Sequence, residues 1–171
     1  MIKIRKEITS DYNSVYEVIK SAFEHAEHRD GNEQDLVVSL RKSSAFIPEL
    51  SLVAESDGNI VGHVLFSKVK IGDRTELALA PLSVLPAFQR QGVGSALITE
   101  GHKIAKQLGF DYSIVLGSEQ YYPRMGYKPA SEFHILPPFD VSNENFMVYP
   151  LQGEDVKISG VVEYAKEFFE S

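Results

Sequence analysis

The chain has 171 residues, 43% hydrophobic and 24% charged, which suits one domain over 1–171, and a formal charge of −7 from 24 acidic against 17 basic residues. No Lys/Arg cluster resembles a nucleic-acid footprint, the apolar runs are too short to span a bilayer, and the N-terminus lacks a secretory signal. Nucleic acid and membrane are therefore excluded as partners, a cytoplasmic location is expected, and the absence of cysteine excludes disulfides, thiolate metal sites and a cysteine acyl-enzyme.

Residues 1–7 alternate apolar and polar side chains, as a strand does, and Thr9, Ser10 and Asp11 then offer caps to a helix carried by Val15, Val18, Ile19 and Phe23. A polar loop at 25–32 leads to a short amphipathic helix through Leu36, Val37 and Leu40. Segments 50–55 and 60–69 are strand-like, and Ser56-Asp57-Gly58-Asn59 between them predicts a hairpin, because Asp-Gly supplies the positive φ of a primed turn. The next strand, 75–84, contains Pro81, which has no amide to donate, so a bulge or gap is expected there. Val93, Ala96, Leu97, Ile104, Ala105 and Leu108 recur at helical spacing before Gly109, and 112–117 predicts another strand. Residues 119–125 allow a short helix ended by Gly126, 146–151 and 160–164 read as closing strands, and 165–170 as a helical turn.

Two stretches carry chemistry. Gln89, Arg90, Gln91, Gly92, Val93, Gly94 and Ser95 lie where a strand passes into a helix; small residues let the backbone approach an anion, and the first helical amides and the helix dipole face it. This is a candidate diphosphate cradle. If strand 112–117 diverges from 75–84, backbone groups of Ser83, Val84 and Leu85 become free to pair with the amides of an extended ligand.

The hexapeptide Gln89 to Gly94 resembles the acyl-CoA signature of the GNAT superfamily of N-acetyltransferases. Pro81-Leu82-Ser83-Val84-Leu85-Pro86 upstream resembles the family's splayed strand end, and Tyr121-Tyr122-Pro123-Arg124-Met125-Gly126-Tyr127 its Tyr-x-x-x-Gly-aromatic motif. Val61-Gly62-His63-Val64, Tyr122-Pro123-Arg124 and Phe146-Met147-Val148 are similar to a bacterial-type subgroup of N-acetyltransferases. The resemblance implies a mixed α/β fold, a twisted and mostly antiparallel sheet flanked by helices on both faces, with acetyl-CoA in a V-shaped opening. It implies direct transfer of acetyl to a primary amine of a small molecule in a ternary complex. A peptide N-terminus or lysine is the alternative acceptor, and a CoA-binding sensor without catalysis is the alternative class; a homodimer is left open.

In the family, the Tyr four residues before the motif's Gly sits near the CoA sulfur, which makes Tyr122 the expected general acid. Its phenol, with an ordinary pKa of about 10 against about 8.5 for a thiol, is protonated at neutral pH and can give that proton to a thiolate. The amide of Val84 or of Leu85 is the expected oxyanion donor. Cofactor contacts are expected from Ser83, Val84, Leu85, the stretch Gln89 to Ser95, Tyr122 and Ser118; Ser118 enters because Val115 stands where many members carry an Asn. The general base is open. Ala78 occupies the position of the carboxylate that some members use, leaving Glu76, two residues earlier on the same face, and His63, on the side of Val61 and Leu65. For both, a structural role is the weightier alternative. No metal is assigned, since the histidines lack ligand spacing with a carboxylate.

Overall fold

A computed structural model describes residues 1–24, 32–154 and 158–169; the expected polar loop falls outside them except for Asn32. In chain order the elements are β1 (Ile2–Lys6), α1 (Tyr12–Phe23), α2 (Glu33–Arg41), β2 (Ser51–Ser56), β3 (Asn59–Ile71), β4 (Arg74–Val84), α3 (Val93–Gln107), β5 (Tyr112–Leu116), β6 (Lys128–Pro129), β7 (Ile135–Leu136), β8 (Phe146–Pro150) and β9 (Gly160–Glu163). The fold is mixed α/β, with a mostly antiparallel sheet in the order β1-β2-β3-β4-β5-β8-β6, while β9 pairs both β3 and β7.

α3 packs on one face of the sheet, where Val93, Leu97, Ile98 and Ala105 join Leu52, Val64, Phe66, Leu77 and Leu79. Burial of a side chain such as Leu97 contributes about 1.5–3 kcal/mol, so this amphipathic face holds the helix more firmly than propensity could. α1 and α2 cover the other face through Val15, Ile19, Val37 and Leu40 against Val53 and Leu65. A third cluster, including Tyr112, Ile114, Phe146 and Val148, fills the β5–β8 side.

The expected hairpin is present: Asp57 and Gly58 take φ of 50° and 83°, and β2 and β3 close across Ser56↔Asn59. The expected side-chain cap of α1 is not. A 3-10 turn, Thr9–Asp11, precedes that helix, and the Asp11 carboxylate instead accepts from Arg5 at 2.8 and 3.0 Å and from the Ile8 amide at 2.8 Å.

Two register shifts matter for the site. Between β2 and β3 the shift leaves Val61 as the extra residue, which turns it into the α3 core, away from His63 and Leu65. Between β3 and β4, Val64↔Leu82 gives way to Phe66↔Leu79, so Ala80 and Pro81 together oppose Leu65. The bulge expected at Pro81 is therefore real, and it changes the phase of β4. Leu77 and Leu79 face α3 before it, Leu82 and Val84 after it.

Candidate functional site

β4 and β5 run parallel and pair only at Leu77↔Ser113 and Ala78↔Ile114; past these residues they part. The edge that β4 presents to the gap follows from its pairing with β3. The Leu85 amide donates to the Val61 carbonyl at 2.9 Å, and alternation then commits the Ser83 backbone to His63. Val84 and Leu82, the residues between and beyond, turn their amides to the other edge, into the gap.

This corrects part of the expected site. Leu85 is not available as the oxyanion donor, because its amide is already paired within the sheet. Ser83 offers the gap no backbone group, and its hydroxyl is buried on the opposite face without a partner. The Val84 amide is turned to the gap by the same alternation. Leu82, which sequence reasoning did not include, shares its edge, and only the bulge's position could have revealed it.

At the mouth of the gap the chain turns into α3. Arg90 and Gly92 take positive φ, 63° and 85°, and Gly92 is the N-cap residue, so a run of amides converges on one concave point ahead of Val93. Gln89 ties the loop to the strand, donating through Nε2 to the Val84 carbonyl at 3.1 Å, and Gln91 donates to the Ala87 carbonyl at 3.1 Å. A side chain on Gly94 would overlap the Tyr121 hydroxyl, which also lies beside Ser95. Tyr121 is thus the tyrosine at the cradle.

Tyr122 lies deeper. A Cβ on Gly117 would stand 2.5 Å from its ring, so the absence of a side chain there lets the phenol lie on β5's end. Its ring meets Tyr121 and Tyr127 edge-on, with centroids 5.0 and 5.6 Å apart. Burial raises its pKa well above the usual tyrosine value, so the phenol holds its proton at neutral pH. Ser118 closes the turn that carries both tyrosines: its carbonyl accepts from the Tyr121 and Tyr122 amides and its hydroxyl from the Gln120 amide. Asn145 braces the same connection from β8's start, donating to the Gly117 carbonyl at 3.0 Å and to Glu119 at 2.7 Å.

The two candidate bases stand elsewhere. Glu76 is 1% exposed, and its carboxylate accepts from the Asp111 and Tyr112 amides at 2.8 and 3.2 Å, capping the start of β5. Burial raises its pKa from 4.5, opposed by those two amides. A carboxyl raised on folding contributes stability that is complete below the ordinary value and is lost as pH rises through the raised one. Glu76→Gln keeps an oxygen for both amides, so its denaturant midpoint is expected to vary less with pH over the weakly acidic range than that of the parent; an unchanged pH dependence would count against this placement.

His63 lies fully buried under the α1 side of the sheet, with Nε2 3.0 Å from Ser51 Oγ and 3.7 Å from Glu7 Oε2, and Nδ1 without a partner. Ser51 donates to Glu7 at 2.8 Å, and Arg41 pairs with Glu7 at 2.5 Å. Burial, aided by the Arg41 charge, pushes the His63 pKa down to about 3. This is a packed polar network holding a neutral imidazole. On the same side, a shallow groove of about 400 Å³ lined by Asn13, Glu17, Val18, Asn59, Ile60 and Leu85 reaches the end of β4. No group of three or more His, Cys, Asp or Glu side chains suited to a metal occurs among the described residues.

Comparison with known proteins places this geometry. The model of the acetyltransferase (GNAT) family matches residues 10–127. The chain is 32% identical over 164 residues to the N-acetyltransferase YjhQ of Escherichia coli K12, covering 91% of this chain and 88% of that one. The crystal structure of YhbS from Escherichia coli, in complex with CoA, superposes with a TM-score of 0.86 at 27% identity over 99% of this chain and 92% of that chain. A GNAT-family acetyltransferase from Brucella melitensis, in complex with acetyl-CoA, gives a TM-score of 0.82 at 34% identity over 98% of both chains.

Proposed function

The chain belongs to the acetyltransferase (GNAT) family, and from that premise we propose that it transfers acetyl from acetyl-CoA to a primary amine of a small molecule, directly and within a ternary complex. The observation that carries this reading is the opening between β4 and β5, with the Val84 amide on its edge and the α3 cradle at its mouth. The CoA and acetyl-CoA complexes of the similar structures support an acyl donor in that opening.

The diphosphate lies on the amides that open α3, and the pantetheine arm runs along the free edge of β4 as an added strand. The amine nitrogen attacks the thioester carbon, and the Val84 amide stabilises the oxygen that becomes an anion, a preorganised donor that needs no side chain to be ordered. As the C–S bond breaks, Tyr122 gives its proton to the departing thiolate. The proton lost from the amine goes to solvent through the groove on the α1 side, since Glu76 and His63 are both committed to structural bonds. Glu17 gives that groove a negative wall, which draws in a cationic amine; the ammonium gives one proton to solvent there before attack, so the nitrogen that attacks is neutral.

Calorimetry with CoA, and thiol release from acetyl-CoA over a panel of small amines and short peptides, test the reading. Saturable CoA binding with amine-dependent thiol release and intersecting initial-rate plots is the expected result. Binding without turnover across the whole panel would make the protein a CoA sensor; turnover of peptides alone would move the acceptor to a polypeptide.

A further inference from the structure

Gly117, at the end of β5, is held on both its backbone groups by one residue 28 positions further along the chain. Its amide donates to the Asn145 carbonyl at 2.9 Å, and its carbonyl accepts from Asn145 Nδ2 at 3.0 Å. Together these bonds add a last rung to the β5–β8 ladder, one step beyond Leu116↔Phe146. In a hydrogen-bonded antiparallel pair both bonds ordinarily run between main chains. Here the Asn145 amide is turned away, donating to the Ser142 carbonyl at 2.9 Å, and the side chain supplies the missing bond.

The side-chain amide does what the main-chain amide could not. Nδ2 carries two protons, and it also donates to Glu119 Oε2 at 2.7 Å, a charge-assisted bond. Both partners are acceptors, which fixes the way the amide faces. Asn145 therefore grips the two residues on either side of Ser118, whose carbonyl accepts from the Tyr121 and Tyr122 amides at 3.2 Å.

The clamp sits where β5 has lost a neighbour. Pairing with β4 stops at Ala78↔Ile114, so the end of β5 is tied into the sheet from the β8 side. The Tyr122 ring occupies the space of a side chain on Gly117, with Cε2 2.5 Å from where the Cβ would stand, so any shift of Gly117 is passed directly to the ring. A misplacement of about 1 Å between reacting groups costs on the order of 10²-fold in rate.

We propose that Asn145 is a positioning residue for acetyl transfer: by clamping Gly117 and Glu119 it sets the end of β5 on which the Tyr122 ring lies, and so fixes the reach of the phenol to the departing sulfur. It acts through the place of the main chain and moves no proton. This rests on the reading of Tyr122 as the proton donor.

The test is a double-mutant cycle of Asn145→Ala with Tyr122→Phe, read in kcat for acetyl transfer and in CoA affinity by calorimetry. In the parent background Asn145→Ala is expected to lower kcat roughly ten- to a hundredfold and to change CoA affinity by no more than about twofold. In the Tyr122→Phe background it is expected to lower the residual kcat by less than about twofold, because the group it positions is gone. Glu119→Ala removes only the outer bond, from an exposed side chain, and is expected to lower kcat roughly threefold in the parent background alone. That variant carries the cycle if Asn145→Ala does not fold. Equal losses in both backgrounds would make Asn145 a general support of the fold and overturn the proposal while leaving the proton donor in place. An unchanged kcat, or a loss confined to CoA affinity, would overturn it too. A Tyr122→Phe variant with the parent's kcat would overturn the proton-donor reading and this proposal with it.

Discussion

Tyr122→Phe is expected to lower kcat for acetyl transfer by a factor of roughly 10²–10⁴ while changing CoA affinity by no more than about twofold. The substitution removes only the hydroxyl. The ring contacts with Gly117, Tyr121 and Tyr127 remain, and the hydroxyl has no hydrogen-bond partner among the described residues whose loss would disturb the fold. What disappears is the proton for the departing thiolate. Because burial raises the pKa of this phenol, the acid form persists through neutral and mildly alkaline pH. An alkaline loss of activity due to its ionisation therefore belongs above the usual tyrosine range. Steady-state kinetics with a responsive amine decide the matter: a Phe variant keeping half of the parent kcat would remove Tyr122 from the chemistry.

Gly101→Val is expected to destabilise the protein by about 3 kcal/mol, the upper range for overpacking a core. Gly101 lies in the middle of α3, where glycine alone would be a fault costing about 1 kcal/mol relative to alanine. It is there because Phe66, fully buried on β3, occupies its side-chain space: a Cβ would overlap the ring at Cε1 and stand 2.7 Å from Cζ. The ring has no room to yield, since it packs between the sheet and His102. For a chain of this size the loss corresponds to a fall in Tm of roughly 6–12 °C. Gly101→Ala should show the same sign with a smaller fall, measurable by calorimetry. A rise in Tm for the alanine variant, as helix propensity alone demands, would contradict this packing.

Features that depend on neighbours in sequence were legible before the fold was known. The Asp57-Gly58 turn, the stop at Gly109, the left-handed Gly126 and the start of α3 after Gly92 are each fixed by a few adjacent residues, and each lies where local chemistry put it. The bulge between β3 and β4 was legible through Pro81, because a missing amide is a local fact, whereas the parting of β4 from β5 entered only as a condition. Features that depended on partners elsewhere in the fold were not legible: Glu76 finds its amides at Asp111 and Tyr112, and the Leu85 amide is taken by Val61. Periodicity gives a strand residue its face only until a bulge shifts the phase, as Val61 shows. Between adjacent tyrosines, the motif said nothing of where Tyr121 ends; only the approach of Gly94 reveals that.

The two residue pairs that join β4 to β5 also set how the molecule transmits force. On one side lie β1 to β4 with β9 and β7, on the other β5, β8 and β6, and among the described residues those two pairs are where strand pairing joins the halves. Such a sheet resembles a clothes peg, sprung at its middle and open at one jaw. A ligand lying along the edge of β4 would fill the jaw with a rung the sheet itself lacks, so occupancy stiffens the whole body, and departure of the spent carrier restores its freedom to flex.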